Sequence, residues 1–121
     1  MSESSALIAV VDDDEDVRVS LGALISSVGH EVILFDNADE LLVSSVLADA
    51  ACVISDVQMP GTDGIQLAMR LQIRHGPPII LMTGYPAEAI ERSAYGAGVR
   101  RFLHKPFRPD ELLDELDRIL N

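Results

Sequence analysis

Cysteine and aromatic residues are scarce in this chain, and long apolar runs are absent. Cys52 is the single cysteine, which excludes an internal disulfide and suits a reducing compartment. Tryptophan is missing and aromatic residues make up 4% of the chain, so the core must be aliphatic. No apolar run approaches the ~20 residues of a membrane-spanning helix, and the N-terminus lacks the basic and apolar regions of a signal peptide. We therefore expect a cytoplasmic protein that does not enter a membrane.

Basic residues are also few. Nine Lys and Arg stand against 20 Asp and Glu, which gives a net charge of -11. Nucleic-acid phosphates require a basic surface, so we expect no direct binding of nucleic acid. The charges are uneven, because Arg18 is the only basic residue among the first 69 and six of the nine follow position 90. The mixed charge of this last part is compatible with a protein partner.

Short apolar runs alternate with helical patterns along the chain. Hydrophobic residues make up 48% of 121 residues, which predicts one folded domain over 1–121. The predicted strands are 6–11, 31–35, 52–55, 79–82 and 101–103. The first predicted helix begins in the acidic run 12–16 and ends at 28. The other helices are predicted from Asn37 through Leu47, over 64–74, from Pro86 to about Gly96, and from Pro109 to Leu120. This alternation predicts an α/β fold with a parallel sheet and helices on both faces.

Polar side chains follow the apolar runs where the predicted strands end. Asp12 and Asp13 follow the first run, Asp56 ends the third, and Thr83 follows the fourth. In parallel sheets ligands bind beyond the carboxyl ends of the strands. An aspartate at the exit of a buried strand is costly unless it is paired, solvated or bound to a metal. We therefore predict that these side chains form one site with Asp56 at its centre.

The residue types at these positions favour phosphoryl chemistry. Clustered carboxylates repel one another unless a cation is present, and oxygen-only ligands suit a hard ion such as Mg²⁺. A carboxylate can also attack phosphorus and form an aspartyl phosphate. That reaction needs positive charge near the transferred group, which Lys105 can supply, and Thr83 can donate a hydrogen bond to a phosphate oxygen.

Each of these residues has a simpler interpretation when it is taken alone. Residues 12–16 are typical of a solvated helix start, where acidic side chains are favourable. Asp56 is compatible with a turn or an N-cap, Thr83 with an ordinary strand end, and Lys105 with an exposed surface. The joint placement of all of them at strand exits is what favours a functional site.

Four motifs together make the chain similar to the response-regulator receiver (CheY-like) domain of two-component signalling, over essentially its whole length. They are Val-Val-Asp-Asp at 10–13, Asp-Val-Gln-Met-Pro-Gly-x-x-Gly at 56–64, Met-Thr-Gly at 82–84 and Lys-Pro-Phe at 105–107. The first motif, the Thr-Gly pair and Phe-Leu-His-Lys-Pro-Phe at 102–107 resemble the FixJ-type branch. The resemblance implies a flavodoxin-like, doubly wound five-stranded sheet in the order 2-1-3-4-5.

The resemblance also implies a role for each site residue. Asp56 would accept a phosphoryl group from the phosphohistidine of a histidine kinase or phosphotransfer protein. Mg²⁺, with Mn²⁺ as a substitute, would be bound by Asp13, Asp56 and the backbone carbonyl of Gln58, and by Asp12 through water. Thr83 would contact the phosphate.

Lys105 would also hold the phosphate, and the Lys105–Pro106 peptide bond would be cis. Phe102 would be an aromatic switch that turns inward when Thr83 moves. The output surface would span 86–120 and support phosphorylation-dependent homodimerisation or binding of a downstream protein. Gln58 and Tyr85 occupy positions that tune the phosphate lifetime in this family.

The expected activity is self-phosphorylation followed by slow hydrolysis of the acyl phosphate, without turnover of external substrates. One alternative is a phosphatase of the haloacid dehalogenase type, in which Asp12 is the nucleophile of an Asp12-x-Asp14 pair. A second is an interaction module that keeps the fold without being phosphorylated. The acidic residues at 14–16 either raise cation affinity or cap the first helix, and we favour capping. Both a stand-alone receiver and the receiver part of a longer regulator fit this sequence.

Overall fold

Five short strands alternate with five helices in the part of the chain that the computed structural model describes, residues 6–84 and 88–121. The strands are β1 Leu7–Val11, β2 Glu31–Phe35, β3 Cys52–Asp56, β4 Ile79–Thr83 and β5 Arg101–His104. The helices are α1 Glu15–Ser27, α2 Ala38–Leu42, α3 Gly64–Ile73, α4 Glu88–Gly96 and α5 Pro109–Leu120. A 3-10 turn, Ser45–Asp49, lies between α2 and β3.

The five strands form one parallel sheet in the order β2-β1-β3-β4-β5. The central strand β3 pairs Val53 with Ile79 of β4, while Cys52 faces Ile8 of β1. Every residue of β3 and β4 is buried, as expected for strands that are covered on both faces. The predicted fold class and strand order are therefore confirmed.

Alternate residues of each strand enter two separate hydrophobic cores, because successive side chains point to opposite faces. On one face Ile54 of β3 packs with Leu21 and Ile25 of α1 and with Leu112 and Leu116 of α5. The other face is covered by buried side chains of α2, α3 and α4, which pack with β-strand residues that include Val53 and Leu81. Each fully buried Leu or Ile contributes roughly 1.5–3 kcal/mol, so both faces hold the sheet rigid beneath its carboxyl edge.

The second helix is shorter than the sequence pattern predicts. Asn37 caps it as expected, because its side chain accepts a hydrogen bond from the Glu40 amide at 2.8 Å. The helix ends at Leu42, however, and Ser44 then caps the 3-10 turn by accepting from the Val46 amide. The prediction that one helix runs through Leu47 was wrong, because this second cap starts a separate turn that buries Leu47.

The other described boundaries agree with the predicted ones, as for β2 and α5, or differ by one or two residues. The third, fourth and fifth strands each extend one residue further than predicted, to Asp56, Thr83 and His104. The predicted helix start at Pro86 lies outside the described residues. Among the helices of 6–84 and 88–121, none is long and apolar enough to cross a membrane.

Candidate functional site

The polar residues at the strand ends are anchored by backbone hydrogen bonds that continue the sheet. The Asp12 amide donates to the Phe35 carbonyl at 3.1 Å, and the Lys105 amide donates to the Thr83 carbonyl at 2.7 Å. Asp56 is itself the last residue of β3 and faces Met82 of β4. The side chains of Asp12, Asp56 and Lys105 therefore start from rigid backbone at one edge of the sheet.

Three aspartates meet at this edge. One carboxylate oxygen each of Asp12, Asp13 and Asp56 lie within 4.8 Å of one another, in an arrangement that could hold a metal ion. Asp12 and Asp56 are buried, with 1% and 8% exposure, whereas Asp13 is exposed at the mouth of the cluster. Carboxylate oxygens are the ligands that Mg²⁺ prefers. The predicted convergence of these strand ends is thus present in the structure.

Lys105 supplies positive charge inside the cluster. Its Nζ atom lies 3.1 Å from Asp56 Oδ1 and 3.7 Å from Asp12 Oδ2. An ammonium between two buried carboxylates offsets part of their mutual repulsion. The Lys105–Pro106 peptide bond that follows is cis. The ammonium is therefore close enough to Asp56 to contact a group attached to that carboxylate.

Asp12 carries a buried oxygen that no hydrogen bond from the described residues satisfies. Its Oδ1 atom accepts a hydrogen bond from the Asp14 amide at 2.9 Å, while its Oδ2 atom is buried without a hydrogen-bond partner among the described residues. Burial raises the pKa of Asp12, and the carboxylates of Asp56 and Asp13 raise it further, against the Asp14 amide and Lys105. An oxygen of this kind costs free energy unless a cation or an ordered water meets it.

The close approach of α3 to Asp56 depends on Gly64. A Cβ atom built on Gly64 would collide with the backbone carbonyl oxygen of Asp56 and lie 2.9 Å from both Val57 Cα and Leu81 Cδ2. The Gly64 amide also donates to the Val57 carbonyl at 2.9 Å. Only glycine allows the loop after β3 to close so tightly against the strand.

Thr83, the last residue of β4, and Gln58, in the loop after β3, lie side by side. Thr83 Oγ1 donates a hydrogen bond to Gln58 Oε1 at 3.0 Å. Sequence reasoning selected Gln58 for its backbone carbonyl and missed this side-chain contact. The signal available was positional, because the Asp56–Met82 register brings the residues that follow Asp56 close to Thr83.

Phe102 lies in the core next to two other rings. It is 9% exposed, and its ring centroid is 6.4 Å from that of Tyr95 and 5.3 Å from that of His104. The phenyl ring is therefore already covered while Thr83 contacts Gln58. The role of Phe102 as a switch stays a prediction, and Tyr85 lies outside the described residues.

The acidic residues after Asp13 serve α1. Asp14 is the N-cap residue, and its side chain accepts from the Asp16 amide at 2.9 Å and from the Val17 amide at 3.2 Å. Glu15 and Asp16 lie exposed in the first turn, where negative charge is favourable. Capping, rather than a second cation site, therefore accounts for Asp14.

Comparison with known proteins gives one consistent family. The sequence pattern described as "Response regulator receiver domain" matches residues 8–117. The chain is 42% identical to the transcriptional regulatory protein FixJ of Bradyrhizobium diazoefficiens over 106 residues, which cover 87% of this chain and 52% of FixJ. It is 38% identical to nodulation protein W of the same organism, covering 93% of this chain and 50% of that protein.

A solved structure gives the same picture of the fold. The chemotaxis protein CheY4 of Vibrio cholerae matches with a TM-score of 0.87 and 26% identity, covering 95% of this chain and 98% of CheY4. The chain spans about half the length of the curated relatives named above.

Proposed function

Since the chain belongs to the response regulator receiver domain family of two-component systems, we propose that it is a phosphoacceptor whose Asp56 takes a phosphoryl group from the phosphohistidine of a histidine kinase or phosphotransfer protein. The observation that carries this proposal is the buried Asp56 carboxylate with the Lys105 ammonium 3.1 Å from its Oδ1 atom. A carboxylate in this setting can act as a nucleophile towards phosphorus.

In the proposed reaction a carboxylate oxygen of Asp56 forms a bond to phosphorus as the bond between phosphorus and the donor's imidazole nitrogen breaks. The electron pair of the broken bond stays with the imidazole. Lys105 contacts one phosphoryl oxygen and balances the charge that develops there. Thr83 donates a hydrogen bond from its hydroxyl group to another phosphoryl oxygen. Slow hydrolysis of the acyl phosphate later restores Asp56, so the domain turns over no external substrate.

Mg²⁺, with Mn²⁺ as a substitute, is the proposed cofactor. The Asp12 Oδ2 atom, which has no hydrogen-bond partner among the described residues, and the three gathered carboxylates fit a hard cation. Asp13, Asp56 and the backbone carbonyl of Gln58 would hold it directly, and Asp12 through water. When bound, such a cation neutralises charge on the phosphoryl oxygens and on the carboxylates.

The signal would leave the site through a change in conformation. Thr83 would move towards the phosphoryl group, and Phe102 would respond. The surface at 86–120 would then favour a second copy of the chain or a downstream protein in the cytoplasm. Equal molecular mass with and without beryllium fluoride, measured by light scattering with Mg²⁺ present, would contradict the homodimer.

The hydrogen bonds of Asp14 do not support the phosphatase alternative. Asp14 caps α1 by accepting from two backbone amides through its Oδ1 atom, whereas the alternative needs an Asp12-x-Asp14 pair that faces one substrate. Turnover of a simple phosphomonoester that survives Asp56→Asn would favour the phosphatase. A chain that fails to bind Mg²⁺ would instead favour the interaction module.

Intact-mass spectrometry after incubation with Mg²⁺ and acetyl phosphate tests the proposal. We expect one hydroxylamine-labile phosphoryl adduct on the wild type and none on Asp56→Asn. Asp49→Asn is the matched control, because Asp49 is exposed on the 3-10 turn and should leave the adduct unchanged. An adduct that persists in Asp56→Asn would reject Asp56 as the acceptor.

A further inference from the structure

The side chain of Gln58 holds the hydroxyl group that a phosphoryl group on Asp56 would need. Thr83 Oγ1 donates to Gln58 Oε1 at 3.0 Å. Thr83 is fully buried and Gln58 is half-buried, so the hydrogen bond lies at the inner wall of the site. It joins the loop after β3 to the end of β4, directly beside the Asp56–Met82 register pair.

We propose that Gln58 is a positioning residue that competes with the phosphoryl group on Asp56 for the hydroxyl proton of Thr83. The inference rests on the proposed function, since it concerns the same phosphoacceptor site. A threonine hydroxyl has one proton to donate, and the oxygens of an acyl phosphate at neutral pH are acceptors. Donation to a phosphoryl oxygen therefore requires that Thr83 release Gln58 Oε1.

This competition lowers the affinity of the site for a phosphoryl group. The hydrogen bond between Thr83 and Gln58 is present in this structure and would be given up when Thr83 donates to a phosphoryl oxygen, so its net free energy opposes binding of a phosphoryl group. Removing the acceptor on Gln58 should therefore tighten the binding of a phosphoryl mimic roughly two- to tenfold, the range expected from the net value of one hydrogen bond.

Gln58→Met is the main variant, because methionine keeps the length of the side chain and removes the carbonyl acceptor. The backbone carbonyl of residue 58, which the proposed cation would use, is unchanged. Gln58→Ala is a second truncation that should act in the same direction. Gln72→Met is the matched control, because Gln72 is exposed on α3 and lies against Gly98, away from the site.

The measurement is a titration with beryllium fluoride, a tetrahedral mimic of the acyl phosphate, at saturating Mg²⁺. Amide NMR spectra report both the fold of each variant and the occupied fraction. We expect tighter binding for Gln58→Met and Gln58→Ala, and no change for Gln72→Met. In a Thr83→Val background the Gln58→Met substitution should have no effect, because the contested proton is gone.

The outcomes separate this inference from the proposed function. Failure of beryllium fluoride to bind the wild type would overturn both. Binding to the wild type, with equal or weaker binding to Gln58→Met, would overturn only the competition. Equal tightening in the Thr83→Val background would also overturn it, because Gln58 would then act by sterics or through water rather than through Thr83.

Discussion

Replacing Asp12 with asparagine should make the protein more stable when no divalent cation is present. Asp12 is 1% exposed, and its Oδ2 atom is buried without a hydrogen-bond partner in the described part of the chain. Burial raises the pKa of this carboxyl, so folding disfavours its charged form. Asparagine removes that charge and keeps the Oδ1 acceptor that the Asp14 amide uses.

The magnitude follows from the two opposing contacts of Asp12. A buried carboxylate costs more than a neutral amide in the same place, and attraction to Lys105 Nζ at 3.7 Å offsets part of this difference. We therefore expect Asp12→Asn to raise the free energy of unfolding by about 1–2 kcal/mol. For a chain of this size the gain corresponds to a rise in Tm of roughly 4–8 °C.

Urea unfolding followed by circular dichroism at pH 7 in EDTA measures this difference. Asp49→Asn, an exposed substitution, should change the free energy of unfolding by less than about 0.5 kcal/mol. Saturating Mg²⁺ should stabilise the wild type more than Asp12→Asn. A ligand that binds only the folded protein raises the free energy of unfolding more when it binds more tightly. A variant that is less stable than the wild type in EDTA would refute the idea that Asp12 is held at a cost for a cation.

Three further predictions concern the core and the helix starts. Burial raises the pKa of the Cys52 thiol from 9.0 to about 12. The native protein should therefore not react with a thiol reagent at pH 8. The free energy of unfolding should fall between pH 9 and 12, because the unfolded thiol loses its proton there while the folded one keeps it, and Cys52→Ala should lessen this fall. Gly64→Ala should cost about 1–3 kcal/mol in urea unfolding, because its Cβ would collide with the Asp56 carbonyl, whereas Gly96→Ala, with open space around it, should not be destabilising. Asn37→Ala should cost about 1 kcal/mol by loss of the α2 cap, and Asn37→Asp should retain most of that stability.

Most of the fold could be predicted because local signals and burial agree along the chain. The run that ends at Asp56 is apolar at nearly every position, as a strand covered on both faces must be, and the caps at Asn37 and Asp63 mark helix starts. The end of α2 could not be predicted, because a spacing of leucines looks the same whether one helix continues or a second cap at Ser44 starts a new turn.

The sheet topology predicts which residues meet at the site, but it does not predict their side-chain contacts. A parallel sheet brings the ends of β1, β3 and β4 to one edge, so the meeting of Asp12 and Asp56 follows from the order of the strands. The Thr83–Gln58 hydrogen bond depends on rotamers and on the path of the loop after β3, which the sequence pattern does not encode. The lack of a hydrogen-bond partner for Asp12 Oδ2 among the described residues depends on the same details.

Locating the phosphoryl group is the most direct test of the central claim. Borohydride reduces an acyl phosphate of aspartate to homoserine, so peptide sequencing by mass spectrometry after phosphorylation and reduction identifies the acceptor. The account predicts homoserine at position 56 alone, dependent on Mg²⁺. Homoserine at Asp12 or Asp13, or a phosphorylated chain that yields no homoserine at position 56, would contradict it.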